Sequence, residues 1–310
     1  MFCYVTYTAE EGLGNRLRVH LLAHAFALAS GRTMVLDWSV VQACGARFSD
    51  LFEVPVGAIE IRHSLHRRIF RLFSRHFGVY LNNRILTDSQ TVEELAWVTA
   101  RVVRLGEAVQ PHALDVDGHV LGPFRDAVVE ALRPVRAVRE CVESSVSQFG
   151  EFTVGVHVRH GDFRVCFPDR FVATGVYAGV IGRVLTKVPA AIFYVASDDP
   201  EATVALQRQC RCIAQSRSPR VASRQAVDVF GYPEGSNRDT VQGVREGLAD
   251  MLALARTRLI IGAPGSSFSQ MASLFGRVPL LMPSATDEDI DHALSTIRHG
   301  VAAVDAPAGS

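Results

Sequence analysis

Apolar and polar positions alternate along the chain in blocks that predict strands and helices in turn. Phe2 to Thr8 interleaves aromatic, β-branched and small residues and reads as a first strand, followed by the glycine-punctuated turn Ala9-Glu10-Glu11-Gly12-Leu13-Gly14-Asn15-Arg16. From Leu17 to Ser30 apolar residues cover nearly all faces of a helix, Gly31 stops it, and Thr33 to Trp38 is the second strand. The N-terminus is therefore a βαβ unit. Residues 82 to 120 are mixed, with a strand expected at Trp97 to Leu105, and Asp126 to Ser147 is helical but split or kinked at Pro134.

The second half repeats the alternation. A β-prone run from Phe152 enters His157-Val158-Arg159-His160-Gly161-Asp162, a helix covers Ala178 to Thr186, and a strand at Ala191 to Ala196 ends in Ser197-Asp198-Asp199-Pro200 before a helix at Glu201 to Cys210. Further strands are expected at Arg211 to Ala214 and Ala226 to Phe230, and a loop at Gly231 to Asn237. A helix at Glu246 to Ala255 leads to a strand at Arg258 to Ile261, which opens into Gly262-Ala263-Pro264-Gly265-Ser266-Ser267-Phe268-Ser269. A helix at Gln270 to Phe275 and a strand from Val278 to Leu281 follow. Each strand here ends in polar or glycine residues before a helix, so the C-terminal edges of a parallel sheet face one crevice. The expected fold class is α/β, with one domain over 1–148 and a second over 149–310, and a loose tail from Ala306 to Ser310.

Composition narrows the function classes. The chain has 310 residues, is 48% hydrophobic and 21% charged, and carries 32 Lys plus Arg against 32 Asp plus Glu. With no net field to draw it to nucleic acid or a membrane, any charge argument must be local. The six cysteines are scattered, and one Cys-x-Cys, at Cys210 and Cys212, is weak evidence for a metal; free thiols in a reducing compartment fit better. Without a signal-peptide pattern or a membrane-length apolar run, a cytoplasmic protein is expected, with at most peripheral membrane association.

One segment is locally basic. Arg62, His63, His66, Arg67, Arg68, Arg71, Arg75 and His76 interleave with Leu65, Ile69, Leu72 and Phe73 at helical spacing. This is either a solvated basic face over a core stripe or a surface for an anionic acceptor or lipid-linked substrate.

Three strand ends carry residues suited to phosphate chemistry: His157 to Asp162, Ser197-Asp198-Asp199, and Gly265-Ser266-Ser267-Phe268. The last is a small-residue loop entering a helix, where unpaired N–H groups and the helix dipole suit a phosphate, though the serines alone also fit a plain helix cap. Arg159 could hold two phosphate oxygens and neutralise a departing nucleoside diphosphate without a metal. Asp198 and Asp199 fit a helix cap, a divalent-ion site, or partners for sugar hydroxyls or a base edge. The glycines at 12 and 14 match neither a dinucleotide fingerprint nor a P-loop.

In order along the chain, Gly-Leu-Gly-Asn-Arg, Gly-Arg-Thr-Met-Val-Leu-Asp-Trp, Gly-Val-His-Val-Arg-His-Gly-Asp, and Asp-Met-Leu-Ala-Leu-Ala-Arg with Ser-Ser-Phe-Ser resemble the GDP-fucose fucosyltransferases of the α1,6, α1,2 and protein-O-fucosyl superfamily. The rhizobial nodulation type is the nearest. The resemblance spans residue 5 to about 275 and implies a GT-B-like fold of two Rossmann-type domains, an inverting mechanism, no required metal, and a GDP-linked donor with a carbohydrate or glycoconjugate acceptor. By residue, it implies that Arg159 grips the β-phosphate, His157 faces the guanine, Asp250 recognises guanine or ribose, and Ser266 binds phosphate. Gly12, Gly14 and Asn15 match the loop over the diphosphate; His160, Asp198, Asp199, Ser267 and Phe268 join the donor side. Three carboxylates compete as catalytic base: Asp162 and Asp169 after the arginine motif, and Glu11 beside the glycine loop. Competing readings are a transferase for another nucleotide-linked deoxysugar, a nucleotide-sugar or glycan binding protein without catalysis, and a metal-dependent phosphohydrolase built on Asp198 and Asp199.

Overall fold

A computed structural model describes residues 3–9, 11–81, 100–105, 119–161, 163–213 and 237–304. The chain divides into two compact units, one of residues 1–139 with 238–248 and the other of 140–237 with 249–310.

The first unit runs β1 (Tyr4–Ala9), α1 (Leu13–Ser30), β2 (Thr33–Trp38), α2 (Phe48–Leu51), β3 (Ile59–Glu60), α3 (Ser64–Phe77), β4 (Gly78–Leu81), β5 (Val102–Leu105), a 3-10 segment at His119–Phe124, and α4 (Arg125–Ala131). Its five strands are all parallel in the order β3-β2-β1-β5-β4. Helix α1 starts earlier than the glycines suggest: Gly12 is its extended N-cap, so Gly14, Asn15 and Arg16 lie in its first turn and not in a turn before it. The helix ends at Gly31, whose left-handed φ of 64° lets its N–H reach the Ala27 carbonyl, the geometry glycine adopts without a Cβ clash.

Helix α1 is buried along most of its length, against β1 and β2, and this forces two histidines inside. His20 bonds through Nδ1 to the Tyr7 hydroxyl at 3.0 Å and stacks on Phe48. Burial, with His24 beside it, pushes its pKa well below 6.5, so the ring is neutral.

Pro134 separates α4 from α5 (Arg136–Val146), as its missing N–H requires.

Beyond α5 the second unit runs β6 (Thr153–Val158), α6 (Phe163–Cys166), a 3-10 turn at Pro168–Arg170, α7 (Thr174–Lys187), β7 (Ile192–Ser197), α8 (Pro200–Gln207), β8 (Cys212–Ile213), α9 (Val241–Leu254), β9 (Leu259–Ile261), α10 (Ser267–Gly276), β10 (Leu280–Leu281) and α11 (Asp287–Val304). The first part of α9 belongs to the first unit and residues 249–254 to the second. The sheet is all-parallel in the order β10-β9-β6-β7-β8. The chain moves outward from β6 through β7 to β8, then returns to the other side of β6 to lay down β9 and β10. The order reverses between β6 and β9, and in such sheets the crevice beyond that switch point is where ligands bind.

Alternation along β6 sets the two faces of this sheet. Val154, Val156 and Val158 bury against Tyr177, Val180, Ile181 and Val184 of α7 and Ile290 and Leu294 of α11, each side chain contributing roughly 1.5–3 kcal/mol of burial. On the opposite face a Cβ at Gly155 would meet Leu254 Cδ2 at 2.6 Å, so the glycine lets the end of α9 lie close on the strand. Thr153 and His157 share that face by period two.

The expected strand at 226–230 and the tail from 306 lie outside the described residues, as does the 97–99 part of the strand expected at 97–105. Helix α11 was not expected.

Candidate functional site

The switch point of the second sheet brings two of the three expected strand ends together. Strand β6 pairs with β9 from Val154 to Val156, so the residues leaving β6 at Arg159 and those leaving β9 at Gly262 emerge side by side. His157, on the last turn of the pleat, shares a 2.7 Å hydrogen bond through Nδ1 with Ser269 Oγ and stacks on Phe268, ring centroids 4.7 Å apart. Ser269 Oγ also accepts from the Ala263 N–H at 3.2 Å. The His157 ring is thus locked by the first turn of α10, in one orientation.

The loop before α10 turns at Gly265, whose φ of 65° is left-handed, and Ser266 is the N-cap without a side-chain cap bond. The first N–H groups of α10 therefore receive no side-chain cap from Ser266, and the positive end of the helix dipole lies at this loop. Arg170 lies against this loop. Its Cδ, Nε and Cζ stand 3.2, 3.3 and 3.4 Å from where a Cβ on Gly265 would be, and its guanidinium lies over the Phe167 ring at 5.3 Å. Among the described residues no carboxylate pairs with it. This arginine was missed in the sequence, because nothing within ten residues of it signals the contact with Gly265; the only sequence sign is that it follows Asp169.

The third strand end braces the first. Asp198 Oδ1 accepts the N–H groups of His160 at 2.8 Å and Gly161 at 3.2 Å, and its Oδ2 lies 3.3 Å from Arg159 Nη1. A Cβ at Gly161 would sit 2.9 Å from that same oxygen, so the turn needs glycine to close on the carboxylate. Asp198 therefore holds both the backbone and the guanidinium of the arginine turn. Arg159 is further flanked by the Phe163 ring at 5.7 Å.

Asp199 caps α8, accepting from the N–H groups of Glu201 at 2.9 Å and Ala202 at 3.4 Å. Its other oxygen takes His160 Nδ1 at 2.8 Å, while His160 Nε2 faces the Val172 carbonyl at 2.8 Å. Both ring nitrogens thus meet acceptors, and the ring is a buried strut between β6, α8 and the segment before α7. In this arrangement the carboxylates at 198 and 199 are engaged by the chain's own donors. Among the described residues no cluster of three His, Cys, Asp or Glu could hold a metal ion. The thiols of Cys210 and Cys212 share a hydrogen bond at 3.1 Å and form no disulfide.

Asp250 lies inside the fold, and not on a solvated helix face. It is 4% exposed on α9 and accepts from the Tyr194 hydroxyl at 2.8 Å. Tyr194, absent from the sequence reading, is a buried β7 residue on the same sheet face as His157.

Asp169 is exposed in the 3-10 turn at Pro168–Arg170, and Asp162 lies outside the described residues. Glu11, in the first unit, accepts from the Asn15 side-chain amide through its carboxylate and from Arg16 Nε, at 2.5 Å, through its backbone carbonyl. Arg16 also donates to the Ser39 carbonyl at 2.5 Å and stacks over Trp38. Glu11, Gly12, Asn15 and Arg16 therefore form one bonded turn at the C-terminal end of β1.

This chain shares its fold with fucosyltransferases. The α1,6-fucosyltransferase NodZ, in a crystal soaked with GDP-fucose, superposes with a TM-score of 0.56 over 90% of this chain and 94% of its own at 15% identity. A single-residue mutant of Arabidopsis thaliana FUT1 in complex with GDP gives 0.56 over 91% and 70% at 14% identity, and POFUT1 in complex with GDP-fucose 0.50 over 92% and 98% at 13%. The α/β architecture with two parallel sheets is the GT-B-like fold of these enzymes. No protein-family model matches the sequence, and no curated protein is similar to it in sequence.

Proposed function

We propose that the protein is a fucosyltransferase that moves L-fucose from GDP-fucose to a hydroxyl of a carbohydrate or glycoconjugate, with inversion at the anomeric carbon and no resident metal. The observation that carries the reading is the Asp198-braced Arg159 beside the N-terminus of α10, at the switch point of a sheet whose fold is shared with proteins solved with GDP or GDP-fucose.

In this reading the β-phosphate lies between Arg159 and the N–H groups at Ser266 and Ser267, with Arg170 completing the cationic side. As the bond from the anomeric carbon to the phosphate oxygen breaks, negative charge gathers on the diphosphate. Arg159 and the α10 dipole are already aimed at that charge, so they stabilise the transition state more than the ground state. The acceptor oxygen attacks the opposite face of the sugar, and its proton passes to a carboxylate, for which Glu11, Asp162 and Asp169 are the candidates. His157, held by Ser269 and Phe268, faces the guanine, and buried Asp250 recognises guanine or ribose; a carboxylate accepting from a base edge discriminates because the wrong base leaves it unpaired. Gly12, Gly14 and Asn15 serve the diphosphate in this reading. His160 and Asp199 contribute by fixing the arginine turn. The free thiols at 210 and 212 support a cytoplasmic setting.

The test is donor turnover with GDP-fucose, GDP-mannose and UDP-sugars, for wild type and Arg159→Ala. GDP-fucose-specific turnover that falls by roughly two to three orders of magnitude in the variant fits the proposal. Turnover with a uridine donor alone removes the roles given to His157 and Asp250, and a variant that only binds GDP less tightly, with no wild-type turnover to lose, makes the protein a binding module.

A further inference from the structure

Helix α3 is mounted with its polar side inward. Asp37, at the end of β2 and buried, accepts Arg67 Nε on Oδ1 and Arg71 Nε on Oδ2, both at 2.7 Å. Arg67 also donates to the carbonyls of Trp38 and Ile61. Ser74, one turn on, is buried, with its carbonyl 2.3 Å from where a Cβ on Gly78 would stand. These residues define the face of the helix turned to the sheet, and of the two readings of its amphipathic pattern they rule out a solvated basic face over a core stripe.

The apolar stripe points the other way. Leu65, Ile69, Leu72 and Phe77 are 63%, 56%, 56% and 58% exposed, and Phe73 is exposed beside them. Their spacing is the i, i+4, i+7, i+8, i+12 pattern of one helix face. Leaving such a stripe in water forgoes the burial that an amphipathic helix normally achieves, and contiguous exposed apolar surface marks a contact site. Arg68 and Arg75 line one flank of the stripe, both exposed and without an ion pair among the described residues, and no acidic residue occurs anywhere in α3. Asp37 prevents the helix from rolling over to bury the stripe, because rolling would strand two arginines and a buried carboxylate.

We propose that α3 is a membrane-contact element that lays this face on an anionic bilayer surface. A convex row of Leu, Ile and Phe fits the boundary of the acyl region, where it displaces no specific partner. Arg68 and Arg75, at its edge, reach the level of the phosphate headgroups on their flexible stems. The positive flank with no acidic counterpart matches a negative leaflet. The contact is interfacial, in keeping with the finding that no described helix is long and apolar enough to cross a membrane. None of these residues belongs to the donor site, so the proposal stands or falls apart from the transferase reading.

Sedimentation of the full chain with phosphatidylcholine vesicles, with and without phosphatidylglycerol, tests it. Expected is partition onto the phosphatidylglycerol vesicles alone, weakening as salt is raised. Ile69→Glu/Leu72→Glu and Arg68→Gln/Arg75→Gln should each reduce partition by about tenfold or more, while thermal midpoint and gel-filtration behaviour stay those of wild type. Absence of partition, or partition that either double variant leaves unchanged, overturns the proposal. So does a lowered thermal midpoint in Ile69→Glu/Leu72→Glu, which means that the chain itself packs on the face, or a dimer that the variant converts to monomer, which assigns the face to a second copy.

Discussion

Arg170 lies on the bare α-carbon of Gly265, with its Cδ 3.2 Å from the place a Cβ would occupy. The turn needs glycine twice over, for its φ of 65° and for the room the arginine takes. Gly265→Ala should cost roughly 1–2 kcal/mol of stability through left-handed strain and push the guanidinium off the loop. Arg170→Ala, which leaves the backbone relaxed, should weaken GDP binding about tenfold with little change in thermal midpoint. Calorimetric titration with GDP checks both; unaltered affinity in Arg170→Ala removes that residue from the donor site.

Asp198→Asn separates bracing from charge. The amide oxygen can still accept the N–H groups of His160 and Gly161, while the ion pair to Arg159 is lost. A guanidinium free to shift by an ångström should lower kcat by about a hundredfold while KM for the donor changes much less. Equal kcat in variant and wild type would mean that Arg159 is oriented by other contacts.

The candidate bases are distinguished by single amide substitutions, Glu11→Gln, Asp162→Asn and Asp169→Asn. The true base should show a rate loss of about 10²–10⁴ and a flattened acidic limb in the pH–kcat profile. Three near-wild-type variants would point to a transition state dissociative enough to need no base.

Stability in mildly acidic solution should report on His20. Its folded pKa is depressed below 6.5 by burial, while in the unfolded chain it titrates near 6.5. Above that pH both states are neutral and nothing is lost. Below it the unfolded chain takes up a proton that the folded chain refuses, so stability falls with falling pH by up to about 1.4 kcal/mol per unit. Denaturant unfolding of His20→Gln between pH 7.5 and 5, a range chosen on the order of one unit either side of that value, should give a shallower decline, and an unchanged slope assigns the acid sensitivity elsewhere.

Asp37→Asn should destabilise the protein by about 2–4 kcal/mol, because Arg67 and Arg71 lose their shared counter-charge while the site stays partly dehydrated. Chemical denaturation measures it.

Local patterns made much of this structure legible. Thr33 to Trp38 matches β2 residue for residue, since Gly31 marks the boundary and the apolar run has no competing helical period. The break at Pro134 followed from one missing N–H. The start of α1 was misjudged because Gly14 and Asn15 look like turn residues, whereas Gly12 already caps the helix and the Asn15 side chain reaches back to Glu11. Helical periodicity in α3 identified an amphipathic helix but could not say which face turns inward; that depends on Asp37, some thirty residues earlier, which pairs with Arg67 and Arg71. His157 and Arg159 were visible as polar residues ending a strand. Their partners Ser269 and Asp198 are 112 and about forty residues away, pairings that only the sheet order creates. Arg170 had no local mark beyond following Asp169.

Gly45 donates its N–H to the Arg238 carbonyl at 2.6 Å, a Cβ there would lie 1.9 Å from the Asp239 carbonyl oxygen, and Arg245 Nε reaches the Asp50 carbonyl at 2.8 Å. During synthesis, then, the ribosome releases the whole first sheet before the segment 238–248, which packs on Gly45 and Asp50 of the same unit. The N-terminal unit must wait, incompletely packed, through the translation of residues 140–237, and a fragment ending near residue 139 should behave as an aggregation-prone intermediate and not as a stable domain.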